Sequence, residues 1–97
     1  MIKHIVTWKI NEDENKEAVA LQIKEKLESL QGKIEGIIKI EVGIDYSKTE
    51  MSADLVLYSE FESKEALENY QIHPLHQEAG KFIKSKTHSR VLTDYEI

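Results

Sequence analysis

The chain contains no cysteine and only one proline among its 97 residues. Without cysteine it forms no disulfide, no thiolate nucleophile and no cysteine-based zinc site, and the absence fits a reducing cytoplasm. No stretch approaches the roughly 18 apolar residues that a membrane-spanning helix needs. The first residues also lack the apolar segment of a signal peptide. We therefore expect a cytoplasmic protein.

Positive charge is also scarce, since 13 basic residues stand against 18 acidic ones and give a net charge of −5. Nucleic acids and anionic membrane surfaces both attract basic patches, so neither is an expected partner. A chain of this length predicts one domain, residues 1–97. Folding buries only about 60–65% of the surface of so short a chain, which favours further burial against a partner.

Hydrophobic periodicity predicts four strands and three helices. The strands are expected at 2–10, 37–46, 53–61 and 87–96, and the helices at about 11–31, 63–70 and 74–84. Asn11 is the predicted N-cap of the first helix and Gly32 its C-cap. Gly80 lies in the middle of the third helix, where glycine costs about 1 kcal/mol relative to alanine, and this predicts close packing around it.

The order β-α-β-β-α-(α)-β is the split βαβ, ferredoxin-like arrangement of α+β proteins. Its antiparallel sheet packs helices on one face and leaves the other face bare. That bare face carries Val56 and Tyr58, and exposed apolar surface favours a partner. Two such faces would meet as a dimeric α/β barrel, so a second copy of the chain is the predicted partner.

Histidines give the sequence its clearest candidate site. The segment YQIHPLHQ, residues 70–77, places two histidines around a Pro-Leu pair, and His4 lies on the apolar face of the first strand. Histidine exchanges protons near neutral pH, so two histidines converging on a cleft would serve as base and acid. His4 and His76 are the candidates for these roles, and Tyr70 is placed to hydrogen-bond one of them.

Each of these residues also has a structural interpretation. His4 fits a core histidine with a satisfied hydrogen bond, His73 fits a helix-entry residue before Pro74, and Tyr70 fits a ring packed under the third helix. Three histidines can hold zinc, but spacing ties no acidic residue to His4, His73 and His76. No phosphate-binding loop, serine nucleophile or coenzyme motif is present. We therefore expect no metal and no cofactor.

Three segments of the chain resemble the stress-response A/B barrel (Dabb) domain family of small dimeric α+β barrel proteins. They are IKHIV at 2–6, DLVLYSEFES at 54–63 and LENYQIHPLHQ at 67–77, and the last carries the family's Tyr…His-Pro-x-His signature. The resemblance implies a dimeric barrel with a cleft between helices and sheet. Many members have no known activity, and one plant branch contains a polyketide cyclase, olivetolic acid cyclase.

The resemblance to that cyclase also implies site residues. A histidine of its first strand, a tyrosine and the second histidine of its motif line the cleft, and these positions correspond to His4, Tyr70 and His76. The cyclase has a further histidine where this sequence has Leu55. The candidate catalytic residues are thus His4, Tyr70 and His76, and the candidate ligand-binding residues are His4, Trp8, Tyr70, His73, His76 and Phe82.

The leading interpretation is a homodimeric stress-response protein that binds a small, mostly apolar molecule in a cleft of each subunit. The alternatives are a cofactor-free cyclase or lyase using His4 and His76 as acid and base, a structural or interaction protein and, by analogy of fold alone, a monooxygenase. An open cleft of about 300 Å³ or more that touches both histidines favours binding or catalysis. A cleft plugged by Trp8, Tyr70 or Phe82 favours a structural role.

Overall fold

The computed structural model describes residues 1–97 and contains four strands and three helices. The strands are β1 (Ile2–Ile10), β2 (Ile37–Ile44), β3 (Leu55–Phe61) and β4 (Thr87–Glu96). The helices are α1 (Lys16–Glu28), α2 (Lys64–Ile72) and α3 (Pro74–Lys86). The predicted element order and the ferredoxin-like α+β fold are confirmed. No helix is both long and apolar enough to span a membrane.

All four strands form one antiparallel sheet in the order β2-β3-β1-β4. Alternate side chains of β1 point to opposite faces, so Val6 and Ile10 are buried whereas Lys3 and Thr7 lie on the open face. The core of 19 apolar residues lies between the sheet and the helices. The same alternation carries His4 into this buried layer, where it is 3% exposed.

The first helix begins later and ends earlier than the sequence pattern predicts. Its N-cap is Asn15, whose side chain accepts the Ala18 N–H at 3.0 Å, and its C-cap is Ser29. The predicted cap, Asn11, donates its backbone N–H to the carbonyl of Lys86 at 2.9 Å and therefore belongs to the junction with α3. Gly32, at φ +85°, lies in the turn beyond the helix and is not its cap.

The break between α2 and α3 follows the prediction. Ser63 caps α2 by accepting the Ala66 N–H at 3.1 Å. The residue before a proline avoids the helical conformation, and His73 is extended, with φ −65° and ψ 134°, immediately before Pro74. The His73 Nδ1 accepts the Leu75 N–H at 3.1 Å, so this histidine is the N-cap of α3.

A β-bulge interrupts the pairing of β1 with β4. The register shifts between Thr7 and Lys9, which leaves Ser89 and Arg90 together opposite Trp8. Ser89 has φ 56°, in the left-handed region that non-glycine residues seldom adopt. A bulge of this kind bends the strand and redirects its side chains.

Side chains of α1 and the turn that follows it close the outer edge of β2. Gln31 donates to the carbonyl of Ile38 at 2.8 Å and accepts the Ile40 N–H at 3.0 Å. Lys24 donates to the Val42 carbonyl at 2.7 Å, and Glu28 accepts the Val42 N–H at 3.0 Å. Four backbone groups of this edge strand, at Ile38, Ile40 and Val42, are therefore paired although no strand lies beside them.

Candidate functional site

His4 is held by a carboxylate from the neighbouring strand. The β1–β4 register places Asp94 directly opposite His4, and the two side chains meet at 2.5 Å between Nδ1 and Oδ1. An ionised carboxylate only accepts hydrogen bonds, so Nδ1–H donates and the ring is fixed in one tautomer. The Nε2 atom has no protein partner and remains available as an acceptor.

His76 lies in the first turn of α3 and is half-buried. Its Nδ1 donates to the backbone carbonyl of Gln71 at 3.2 Å, because a carbonyl oxygen can only accept. Burial is the main cause that lowers the pKa of His76 below 6.5, and the nearby charges of His4 and Arg90 lower the pKa further. His76 is therefore neutral at pH 7, with a free lone pair on Nε2.

Tyr70 lies under both imidazole rings. Its ring centroid is 4.2 Å from that of His76, 6.3 Å from that of His4 and 4.9 Å from that of Phe61. The side chain is completely buried, and its hydroxyl has no hydrogen-bond partner in the protein. Burial raises the pKa of Tyr70 far above its usual value. The predicted hydrogen bond from Tyr70 to a histidine is absent, and the two histidines are oriented by Asp94 and Gln71 instead.

The two histidines border one cleft of about 450 Å³ between α3 and the sheet. Its apolar lining consists of Val6, Trp8, Leu27, Leu57 and Ile83. Its ionisable lining consists of His4, His76, Lys84, His88 and Arg90. The volume lies within the range of small-molecule sites, which are mostly apolar and carry a few placed polar groups. The cleft is open, because the side chains of Trp8, Tyr70 and Phe82 do not fill it.

The remaining predicted site residues lie in different surroundings. Trp8 is 6% exposed and lines the cleft. His73 caps α3, and Phe82 packs at the edge of the core with the ammonium group of Lys26 4.8 Å above its ring. Of the six predicted ligand-binding residues, His4, Trp8 and His76 line the cleft, whereas Tyr70, His73 and Phe82 do not. Their functional roles stay predictions.

The sequence pattern missed Asp94, Lys84 and Arg90. Asp94 shares the helix-facing side of β4 with Leu92 and Glu96, and acids on that side of a strand are a signal that could have been noticed. Arg90 is the only arginine of the chain, but its position in the cleft depends on the β4 bulge, which leaves no mark in the hydrophobic pattern. Lys84 looks like any exposed lysine of an amphipathic helix.

A second cavity of about 510 Å³ lies at the start of α1, away from the histidines. Its charged lining is mixed, with Lys16 and Lys48 beside Glu17, Asp45 and Asp54. Some of these groups are already engaged, since Asp45 accepts the backbone N–H of Lys48 at 2.7 Å and the Lys16 ammonium group lies 3.8 Å from Asp54. It contains no buried titratable side chain, so the histidine cleft is the better candidate. No group of three metal-ligating side chains is assembled anywhere in the structure.

Fold and cleft together define a small α+β protein of the ferredoxin-like class with a ligand-sized cavity. The family described as Stress responsive A/B Barrel Domain (Dabb) matches residues 2–97, and the chain belongs to this family. An uncharacterized protein of Streptomyces coelicolor is 31% identical over 97 residues, which cover 99% of each chain. The resemblance noted from the sequence is thereby confirmed.

Solved structures share the same architecture. A dimeric protein of unknown function and ferredoxin-like fold from Bacteroides fragilis is 38% identical, with a TM-score of 0.90 over 99% of this chain and 95% of its own. A hydroxynitrile lyase from Passiflora edulis is 19% identical, with a TM-score of 0.86 over 99% of this chain and 92% of its own. At that identity the likeness to the lyase concerns the fold alone.

Proposed function

We propose that this protein binds a small, mostly apolar molecule in the cleft between α3 and the sheet. The observation that carries the proposal is an open space of about 450 Å³ with five apolar side chains in its lining, bordered by the His4 and His76 rings. Both rings are oriented through Nδ1, so their Nε2 atoms are left to meet a ligand. Buried polar groups are normally paired inside the protein, and two oriented, unpaired acceptors at one cavity favour a binding site.

Gly80 supports the same proposal. Glycine within a helix costs about 1 kcal/mol relative to alanine, and close packing would be the usual reason to retain it. A methyl group added at Gly80 would meet no atom within 4 Å, so close packing is not the reason. Gly80 lines the cleft, and its missing side chain keeps this wall of α3 open.

We further propose a homodimer formed through the open sheet face. That face presents Tyr58, Val91 and Tyr95, with Val91 62% and Tyr95 42% exposed. Apolar surface of this kind favours burial, and the Bacteroides fragilis relative is described as dimeric. Because the cleft lies on the opposite side of the sheet, among the helices, each subunit would keep its own cleft. Sedimentation equilibrium is expected to give twice the chain mass, whereas a stable monomer at micromolar concentration would contradict this assembly.

The binding proposal is tested with 2-naphthamide, a neutral and mainly apolar probe of suitable size. Isothermal titration calorimetry of the wild-type protein is expected to show one site per chain. Gly80→Leu places a branched side chain into the cleft and is expected to abolish binding. Gln77→Leu puts the same side chain on the exposed face of α3 and is the matched control, which should bind like the wild type. Equal binding by both variants would contradict the location of the site.

A second candidate function is proton transfer by His4 and His76. The favouring observation is that each ring donates from Nδ1 to a fixed acceptor and keeps Nε2 free. Neutral His76 has the protonation state of a general base, and His4, oriented by the Asp94 carboxylate, is the candidate acid. Removal of a proton beside a carbonyl group requires this pair of roles, as in a cyclase or lyase without a cofactor.

This candidate is tested by deuterium exchange at the methyl group of 2-acetylnaphthalene in D₂O, followed by NMR. Catalysis is expected to accelerate exchange over buffer and to disappear in His76→Ala. Gln77→Ala, which changes an exposed neighbouring residue of α3 outside the cleft, is the control and should keep the rate. Exchange no faster than in buffer, or unchanged in His76→Ala, would leave binding as the only function supported.

A further inference from the structure

The ionisable groups that line the cleft are all basic, although the chain as a whole is acidic. They are His4, His76, Lys84, His88 and Arg90, and no aspartate or glutamate lines the space. The chain has 18 acidic and 13 basic residues, so a lining without any acid departs from its composition. Asp94 does not line the cleft, and its carboxylate binds the Nδ1 atom of His4.

Lys84 and Arg90 carry permanent charges at this cleft without a partner in the protein. Neither lies within ion-pair distance of a carboxylate, whereas other basic residues do: Lys16, Lys24, Lys39, Lys64 and Lys86. Neither cation lies over an aromatic ring, unlike Lys26 and Lys86. Their charge is therefore available to a ligand.

The β4 bulge explains how Arg90 reaches the cleft. Ser89 and Arg90 both stand opposite Trp8, whose ring faces the helices and forms part of the cleft lining. The charge of Arg90 acts on the His76 ring across the cleft. Ser89 adopts a left-handed φ of 56° within this bulge, and strained backbone of this kind concentrates at functional sites.

We propose that the ligand of this cleft carries a single carboxylate and that Arg90 binds it, with Lys84 adding to the local positive charge. The inference rests on the proposed binding function. A guanidinium group offers two parallel N–H donors that match a planar carboxylate. The apolar lining receives the body of the ligand. An apolar monocarboxylic acid, aromatic or aliphatic, is the substrate class that fits both parts.

The test compares 2-naphthoate with 2-naphthamide, which have nearly the same shape and differ in charge. Hydrogen bonds to charged groups are strong enough that the acid is expected to bind the wild-type protein at least about tenfold more tightly than the amide. Arg90→Gln should bring the two dissociation constants within about threefold of each other, mainly by weakening the binding of the acid. Arg90→Lys keeps the charge but not the paired donors, and should give an intermediate ratio.

The matched control is Lys81→Gln, which removes one positive charge from an exposed position of α3 outside the cleft. It should retain the wild-type preference for the acid, because the effect is expected from contact and not from net charge. Inorganic phosphate at the same concentration should not displace 2-naphthoate. Displacement by phosphate would show an unselective anion site and would overturn the proposal.

The outcomes separate the two proposals. Equal affinity of wild-type protein for acid and amide would overturn the carboxylate site and leave the binding function intact. A preference for the acid that survives in Arg90→Gln would overturn the role of Arg90. If neither compound binds, the binding function fails and this inference fails with it. Circular dichroism melting of Arg90→Gln checks that this exposed substitution leaves the fold intact.

Discussion

Replacing Gly80 with alanine is expected to stabilise the protein. Alanine exceeds glycine in helix propensity by about 0.8–1.0 kcal/mol in a helix interior, and Gly80 lies well inside α3. The added methyl group meets no atom within 4 Å, so no steric term opposes the gain. The free energy of unfolding should therefore rise by about 1 kcal/mol, which for a domain of this size raises Tm by about 4–8 °C.

The assay is thermal and urea unfolding at one protein concentration, because the stability of a dimer depends on concentration. Gly32→Ala is the matched control, since its added methyl group also meets no atom within 4 Å but its φ is +85°. That conformation costs an alanine about 1–2 kcal/mol, so the same substitution should destabilise here. A lower Tm for Gly80→Ala would mean that the space beside Gly80 is filled in solution, and the argument for an open cleft would fail.

Three further predictions concern Tyr70, His76 and Gly36. Tyr70→Phe removes a buried hydroxyl that has no protein partner. Urea unfolding should therefore show an unchanged free energy of unfolding or a gain of up to about 1 kcal/mol. A loss of more than about 1 kcal/mol would show that the hydroxyl has a hydrogen-bond partner. Burial holds the pKa of His76 below its unfolded value of 6.5, so the unfolded chain binds more protons than the folded protein. His76 therefore lowers the free energy of unfolding as the pH drops through 6.5, by at most about 1.4 kcal/mol per pH unit. His76→Gln should show a shallower fall in urea titrations between pH 7 and 5, and an unaltered slope would contradict the burial argument. Gly36→Ala combines a φ of +90° with a Cβ placed 2.6 Å from the Cβ of Ala66. The variant should therefore lose at least about 1 kcal/mol more unfolding free energy than Gly32→Ala in the same assay. Equal losses would show that the structure around Ala66 shifts to accept the methyl group without an energetic cost.

Periodicity was a sufficient guide to the sheet and to one of the two central histidines. The alternation of β1 puts His4 on the buried face whatever the partner strand, because side chains of a strand alternate strictly. The proline at position 74 likewise fixes the break before α3 through local sterics alone. Features decided by a few neighbouring residues were therefore readable from the chain.

Features decided by contacts between distant parts of the chain could not be read from the sequence. Asn11 and Asn15 are both good caps, and the choice between them depends on the hydrogen bond from Asn11 to Lys86 at the far end of α3. The meeting of His4 with Asp94 requires the β1–β4 register, and a shift by one residue would turn Asp94 to the other face. Gly80 was interpreted as a sign of close packing, but a missing side chain serves an open space equally well, and only the arrangement around it decides.

The closed outer edge of β2 also has a consequence for the behaviour of the protein at high concentration. A free edge is a template on which strands of other molecules can stack into fibrils. Here Gln31, Lys24 and Glu28 already occupy four backbone groups of the edge strand, and the bulge at Ser89 and Arg90 interrupts the strand at the opposite edge. Strand addition at the β2 edge would therefore have to displace these side-chain hydrogen bonds before a ladder could form, which opposes the seeding of fibres at that edge.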